Sequence, residues 1–320
     1  MPSRAVAICG AGELGRRHLE GVLRSEHADI VHVYDIREDA LAACELVVRR
    51  SGEARKRQPI AELRLHHAIR TLPTSLNLAI VATTADVRPH VVSQLAEHAH
   101  IPHWILEKVL AQDEPGLDQL CSATSASLAW VNTPRRTMEW YHRLRSLIGG
   151  RGKISMVVSG GAWGLACNAV HFMDVLGWWS GERPLDIDTE ALDPEWLPAK
   201  RKGFLEVFGS MSVVYTEGSR LTLTADYDAA PIEIKVDVGG LVWSISDSEK
   251  MARRSDGLEL PGRVDLQSEM SAGLVDLILT TSACTLPTLV DSVETHRVLL
   301  RGLREHLIRF GGSGDPVPIT

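Results

Sequence analysis

Residues 4–9, RAVAIC, form a nearly unbroken apolar run, the pattern of a strand covered on both faces in a parallel sheet. Leu14, Leu19, Val22 and Leu23 then recur at helical spacing, so a helix follows. A second apolar run, IVHVY, ends at Asp35. The segments LNLAIVATTA (76–85), HWILEK (103–108) and SLAWVN (127–132) read as further buried strands. A helix opening near Asp86 and Pro89 carries Val91, Val92, Leu95 and Ala96 between the first two of these. Strands alternating with helices predict a doubly wound parallel sheet.

Past residue 132 the pattern changes. A helix rich in Arg, Trp and Tyr, PRRTMEWYHRLRSLI, gives way to KISMVVSGG, FGSMSVVYTE, SRLTLTADY, IEIKVDVGG and LVWSISDS. Several of these runs alternate in part and are separated by E-G or G-G turn signals, which predicts a mainly antiparallel open sheet. VDLILTTSA and LPTLVDSVETHRVLLRGLREHLIRF read as helices that cover one face of that sheet. The other face is expected to carry apolar side chains and to seat a second copy, giving a homo-oligomer. The closing GGSGDPVPIT reads as a loose tail.

Composition narrows the class. The 320 residues are 44% hydrophobic and 23% charged, enough for two domains with sizeable cores. A net charge of −7 argues against nucleic-acid binding, which usually needs a basic face. Cys9, Cys44, Cys121, Cys167 and Cys284 are scattered, odd in number and form no C-x-x-C pair, as expected of reduced cytoplasmic thiols. A strand starting near Arg4 leaves no room for a leader, and no apolar run reaches membrane-spanning length.

The candidate chemistry starts in the first turn. Gly10, Gly12 and Gly15 stand in G-A-G-E-L-G between the first strand and the first helix. In that context Gly10 permits the tight turn, Gly12 lets the backbone approach a pyrophosphate, and Gly15 lets helix and strand pack closely. The helix N-terminus at Glu13 and Leu14 favours the anion. Asp35, 20 residues beyond Gly15, is placed for the adenosine ribose hydroxyls. Its charge favours NAD over NADP, although Arg37 leaves NADP possible. Thr83, Thr84, Glu107 and Lys108 fall at C-terminal strand ends, where open α/β sheets bind ligands. The reading is thus a dinucleotide-binding domain over 1–131 and an α+β substrate-binding and oligomerisation domain over 132–320.

Taken together, G-A-G-E-L-G-R-R-H with His18, V-A-T-T and W-I-L-E-K resemble the Gfo/Idh/MocA oxidoreductases. The resemblance implies a Rossmann domain joined to a second domain with a large open sheet. Two motifs depart from the family's pattern. Val109 stands where its Glu-Lys-Pro motif has proline, and C-N-A-V-H-F-M-D matches its D-x-G-x-H-x-x-D helix only at His171 and Asp174, with Cys167 and Ala169 at the Asp and Gly places. The resemblance implies Lys108 and His171 as catalytic residues that meet the substrate. Asn168, one turn before His171, is placed to hydrogen-bond the substrate or the histidine, and Arg135, at a helix start, reads either as a solvated charge or as a group that meets a substrate carboxylate or phosphate. It implies hydride transfer between a nicotinamide and a secondary alcohol or ketone carbon of a sugar, cyclitol or sugar nucleotide. The alternative is a non-catalytic dinucleotide-binding sensor on the same fold. The triplet His98, His100 and His103 lacks a completing cysteine or acid, so no metal is expected, and His66-His67 reads as surface.

Overall fold

The structure is a computed structural model, and it describes residues 3–54, 61–150 and 152–320. The chain divides into two compact units. The first comprises Met1–Ala111, Pro115–Pro134 and Asp265–Leu289; the second comprises Gln112–Glu114, Arg135–Val264 and Val290–Thr320. In chain order the elements are β1 (Ala5–Cys9), α1 (Glu13–Val22), β2 (Ile30–Tyr34), α2 (Glu38–Ala54), β3 (Glu62–His66), β4 (Leu78–Val81), α3 (Arg88–His98), β5 (His103–Leu106), α4 (Glu114–Ala123) and β6 (Leu128–Val131). There follow α5 (Glu139–Ile148), β7 (Ile154–Gly160), α6 (Leu165–Ser180), β8 (Pro184–Asp188), β9 (Leu197–Pro198), β10 (Leu205–Glu206), β11 (Gly209–Tyr215) and β12 (Arg220–Ala225). The last are β13 (Glu233–Val238), β14 (Leu241–Ser246), β15 (Met251–Arg254), β16 (Glu259–Pro261), α7 (Gln267–Thr281) and α8 (Leu289–Arg309).

The first unit is a six-stranded sheet in the order β3-β2-β1-β4-β5-β6, parallel throughout. Val6, Ile8, Leu78 and Ile80 from its centre pack with Leu19, Val22, Val31 and Val33, all fully buried. Each such side chain contributes roughly 1.5–3 kcal/mol, so the centre of the sheet is the most firmly fixed part. The strand order reverses between β1 and β4, which opens a crevice at their C-terminal ends.

One helix lies in an unexpected place. α7 does not serve the second sheet; it packs along α1 in the first unit, with Leu274, Val275 and Ile278 in that unit's core. Small residues allow the close approach: a Cβ on Gly21 would stand 2.5 Å from Ser271 Cβ and 2.7 Å from Ser268 O.

The second unit is built on an eight-stranded sheet in the order β16-β15-β14-β13-β7-β12-β11-β8, antiparallel except where β12 pairs β7. Alternation in E-I-K-V-D-V places Ile234, Val236 and Val238 inward and Glu233, Lys235 and Asp237 outward. α6 packs on β7 and β12. The open face is more polar than its sequence suggested. The outward row Ser212, Thr222, Val157, Lys235 and Ser244 runs across paired strands, because the apolar members of L-T-L-T-A all turn inward. Val157 and Val242 remain 39% exposed on it. The C-terminal segment is no loose tail: Val317 and Ile319 are buried, Leu205 N–H donates to Pro318 O at 2.7 Å, and Gln112 Nε2 donates to Ile319 O at 3.0 Å. No helix among the described residues is long and apolar enough to cross a membrane, and all five cysteines are free thiols.

Candidate active site

Three glycines in one turn have three different reasons. Gly10 takes φ +95°, and a Cβ there would stand 2.9 Å from Ala82 C and Thr83 N. Only glycine allows β1 and β4 to end so close together. A Cβ on Gly15 would come within 1.8 Å of Gly10 O, so α1 lies directly against the turn. At Gly12, by contrast, a Cβ meets nothing within 4 Å. The space beside Gly12 is open, and α1 begins there without a side-chain cap. Its first-turn N–H groups at Glu13, Leu14 and Gly15 are suited to an anion.

Asp35 follows β2 and is 11% exposed. Its two oxygens accept N–H bonds from Ala11 at 2.7 Å and Arg37 at 2.9 Å. Each carboxylate oxygen has two acceptor positions, so both keep one for a ribose hydroxyl. The Arg37 side chain is 56% exposed and its Nε lies 3.8 Å from Asp35, a solvated contact of little strength. The turn, the helix start and Asp35 therefore fit a dinucleotide.

Beyond β4, Thr83 and Thr84 are half-buried, and Thr83 Oγ1 is a buried polar atom without a hydrogen-bond partner. Buried hydroxyls are rarely left so, and a bound group would complete this one. Lys108 is half-buried in the turn after β5, where the Lys108–Val109 peptide is cis although valine replaces proline.

Glu107 turns inward. It is 3% exposed and accepts from His18 Nε2 at 2.7 Å and from Asn132 Nδ2 at 2.5 Å. Asn132 also donates to Gln267 Oε1 at 2.9 Å, and His18 Nδ1 meets Ser271 Oγ at 2.9 Å. Burial pushes the Glu107 carboxyl up, but the hydrogen bond and charge of His18, then Asn132 and Arg88, outweigh it and hold it below its ordinary value. The expected cofactor contact of Glu107 gives way to this buried network, which ties α1, β5, β6 and α7 together.

In the second unit, α6 carries His171, half-buried, behind a left-handed Gly164 at φ +78°. Asn168 Nδ2 donates to Trp163 O at 2.8 Å, fixing the turn that leads into α6. Arg135 was expected to meet a substrate anion. Its guanidinium instead donates to Asp247 Oδ2 at 2.8 Å and Tyr141 OH at 3.0 Å, and lies 4.5 Å over the Phe172 ring. A protein carboxylate already occupies its fork, as Asp174 does for Arg136 at 2.7 Å. Glu206 was not foreseen. It accepts from Ala166 N at 2.5 Å at the start of α6 and has Cys167 as a further partner. Burial holds its carboxyl above the ordinary value, against those hydrogen bonds.

Thus Gly10, Gly12, Gly15, Asp35, Thr83, Thr84 and Lys108 share the first unit's C-terminal sheet edge, while Asn168, His171 and Arg135 belong to the second unit. Sequence reasoning missed Arg88, Asn132, Gln267, Ser271 and Glu206. Asn132 at a strand end and Arg88 at a helix start were visible as positions, but nothing in the sequence assigned them partners. The histidines have ordinary roles: His98 and His103 bond the carbonyls of Leu72 and Asn77. His66 is not a free surface residue, since its Nε2 meets His32 Nδ1 at 2.9 Å.

No family model and no curated protein matches this chain. Solved structures do match it in fold. Myo-inositol 2-dehydrogenase from Lactobacillus plantarum superposes with a TM-score of 0.68 at 13% identity, covering 96% of this chain and 98% of that one. UDP-N-acetylglucosamine 3-dehydrogenase from Acidithiobacillus ferrooxidans gives 0.68 at 13% identity, again covering 96% and 98%. An oxidoreductase from Agrobacterium radiobacter, solved with NAD+, L-tartaric acid and magnesium, gives 0.70 at 14% identity over 93% and 94%. The chain therefore has the two-part fold of inositol and sugar-nucleotide dehydrogenases, as its resemblance to the Gfo/Idh/MocA oxidoreductases led one to expect.

Proposed function

We propose that this protein is a dehydrogenase or reductase of the Gfo/Idh/MocA type. It uses NAD, with NADP possible, and acts on a CH–OH or ketone carbon of a sugar, cyclitol or sugar nucleotide. The observation that carries this is the first unit's C-terminal edge. Open space at Gly12, an uncapped helix start and Asp35 with spare acceptor positions share that edge with Lys108. The residues that would hold the dinucleotide are Gly10 to Gly15 and Asp35, with Thr83 Oγ1 beside them. The nicotinamide, when bound, supplies or accepts the hydride. Lys108 Nζ takes the hydroxyl proton in the oxidative direction and returns it in the other. His171 Nε2 serves as the second proton carrier or as a substrate ligand. Substrate alignment is the protein's main contribution to rate.

The test is turnover with a panel of inositols, sugars and sugar nucleotides, with each cofactor. Lys108→Met should retain cofactor affinity while turnover falls about 10²–10⁴-fold, the range of a positioned acid–base group. Wild-type turnover in that variant would reduce Lys108 to a surface charge. Tight dinucleotide binding with no turnover on any such substrate would make the protein a sensor. The open face of the second sheet is where a second copy would seat, and sedimentation at micromolar concentration should show a dimer or larger.

A further inference from the structure

Arg88 opens α3 from inside the protein. It is 1% exposed, an unusual place for a cation. Its guanidinium donates to three backbone carbonyls: Thr83 O, Val109 O and, at 3.2 Å, Leu110 O. The first belongs to the turn after β4, and the other two immediately follow Lys108. A planar guanidinium with five donors in a fixed fork can bind several carbonyls at set angles, which a flexible ammonium cannot. The same charge also favours ionised Glu107, the residue just before Lys108. Arg88 thus contacts or influences both sides of Lys108 in sequence, and it bonds the turn that carries Thr83.

Neither turn has a regular hydrogen-bond ladder of its own. β4 ends at Val81 and β5 at Leu106, so Thr83 and Lys108 stand beyond the sheet's pairing. Burying a cation is costly unless its donors are satisfied, and here Nη1 and Nη2 are satisfied by backbone oxygens of these two turns. We infer that Arg88 is a positioning residue that fixes the Lys108 turn against the Thr83 turn and so sets the lysine for proton transfer. This rests on the acid–base role proposed for Lys108.

Two variants of the full chain test it: Arg88→Met, which keeps length and loses every donor, and Arg88→Lys, which keeps charge and loses the fork. The first readout needs no substrate. Lysines are dimethylated with 13C-formaldehyde, and the Lys108 signal is identified by its absence in Lys108→Met. Its chemical shift and titration midpoint are then followed with and without NADH. In both Arg88 variants the Lys108 signal should move and broaden, while those of Lys153 and Lys235 in the second unit stay in place. The second readout is turnover: kcat should fall at least tenfold in Arg88→Met with KM changed less than threefold, its pH profile should shift, and Arg88→Lys should recover only part. A purely structural arginine would lower the melting temperature and leave the Lys108 signal and pH profile as in wild type; that result overturns the inference. Should Arg88→Met not fold, Arg88→Lys carries both readouts. The two ideas fail separately. If Lys108→Met turns over normally, the acid–base role fails, whereas an unmoved Lys108 signal in the Arg88 variants removes Arg88 alone.

Discussion

Glu107→Gln replaces a buried anion by a neutral group of the same shape. The carboxylate accepts two bonds, from His18 Nε2 at 2.7 Å and Asn132 Nδ2 at 2.5 Å, at 3% exposure. His18 Nε2 and Asn132 Nδ2 both donate to the one oxygen Oε1, so glutamine with its oxygen there keeps both bonds, but as bonds to a neutral acceptor. A hydrogen bond to a charged group contributes about 1.5–3 kcal/mol net. A neutral one contributes about 0.5–1.5 kcal/mol, so each of the two bonds weakens by about 1 kcal/mol. The expected cost is about 2 kcal/mol, roughly a 30-fold shift in the opening equilibrium of the first unit. Native-state hydrogen exchange at the amides of Ile80 and Ile105 reads that unit alone. The pH dependence is fixed in sign. Because the folded carboxyl is held below its ordinary 4.5, its stabilisation is complete above that pH and is lost as pH falls through the lower folded value. The gap between wild type and variant should therefore be full at pH 7 and narrow as pH falls through the acid range. A cost under about 0.5 kcal/mol at pH 7, or a gap that persists in acid, would refute the network's role.

Gly12→Val should fold with little loss of stability, since a Cβ there meets no protein atom, yet lose dinucleotide binding by calorimetry. Gly15→Ala should instead destabilise the fold, because its Cβ would stand 1.8 Å from Gly10 O. Asp35→Ala should weaken NAD+ binding and narrow any preference over NADP+, measured by titrating both; an unchanged ratio would release Asp35 from that role. Burial, with His66 and Arg64 adding to it, pushes His32 down to about 4. The unfolded chain thus binds the extra proton between about pH 6.5 and 4, stability falls as pH drops through that window, and His32→Gln should flatten the decline in urea titrations.

Local chemistry was written in the chain itself. An apolar run before G-A-G-E-L-G and a helical repeat after it fix strand, turn and helix, since each needs only neighbours within a few residues. Asp35 followed from the same logic, because a βαβ unit sets how far apart the glycines and the acid stand. The alternation in E-I-K-V-D-V likewise determined which face of the second sheet is buried. Partner choice was decided only in three dimensions. Glu107 read as a neighbour of Lys108, yet it is bonded to His18, 89 residues away, and that network closes through Ser271, 253 residues from His18. α7 carried no sign in its own sequence that Gly21 and not the second sheet would receive it. Arg135 had the composition of an anion site and found Asp247 instead. Periodicity reports how much of a side chain is covered; it does not report by what, because covering groups come from distant segments whose approach is settled by the packing of the whole unit.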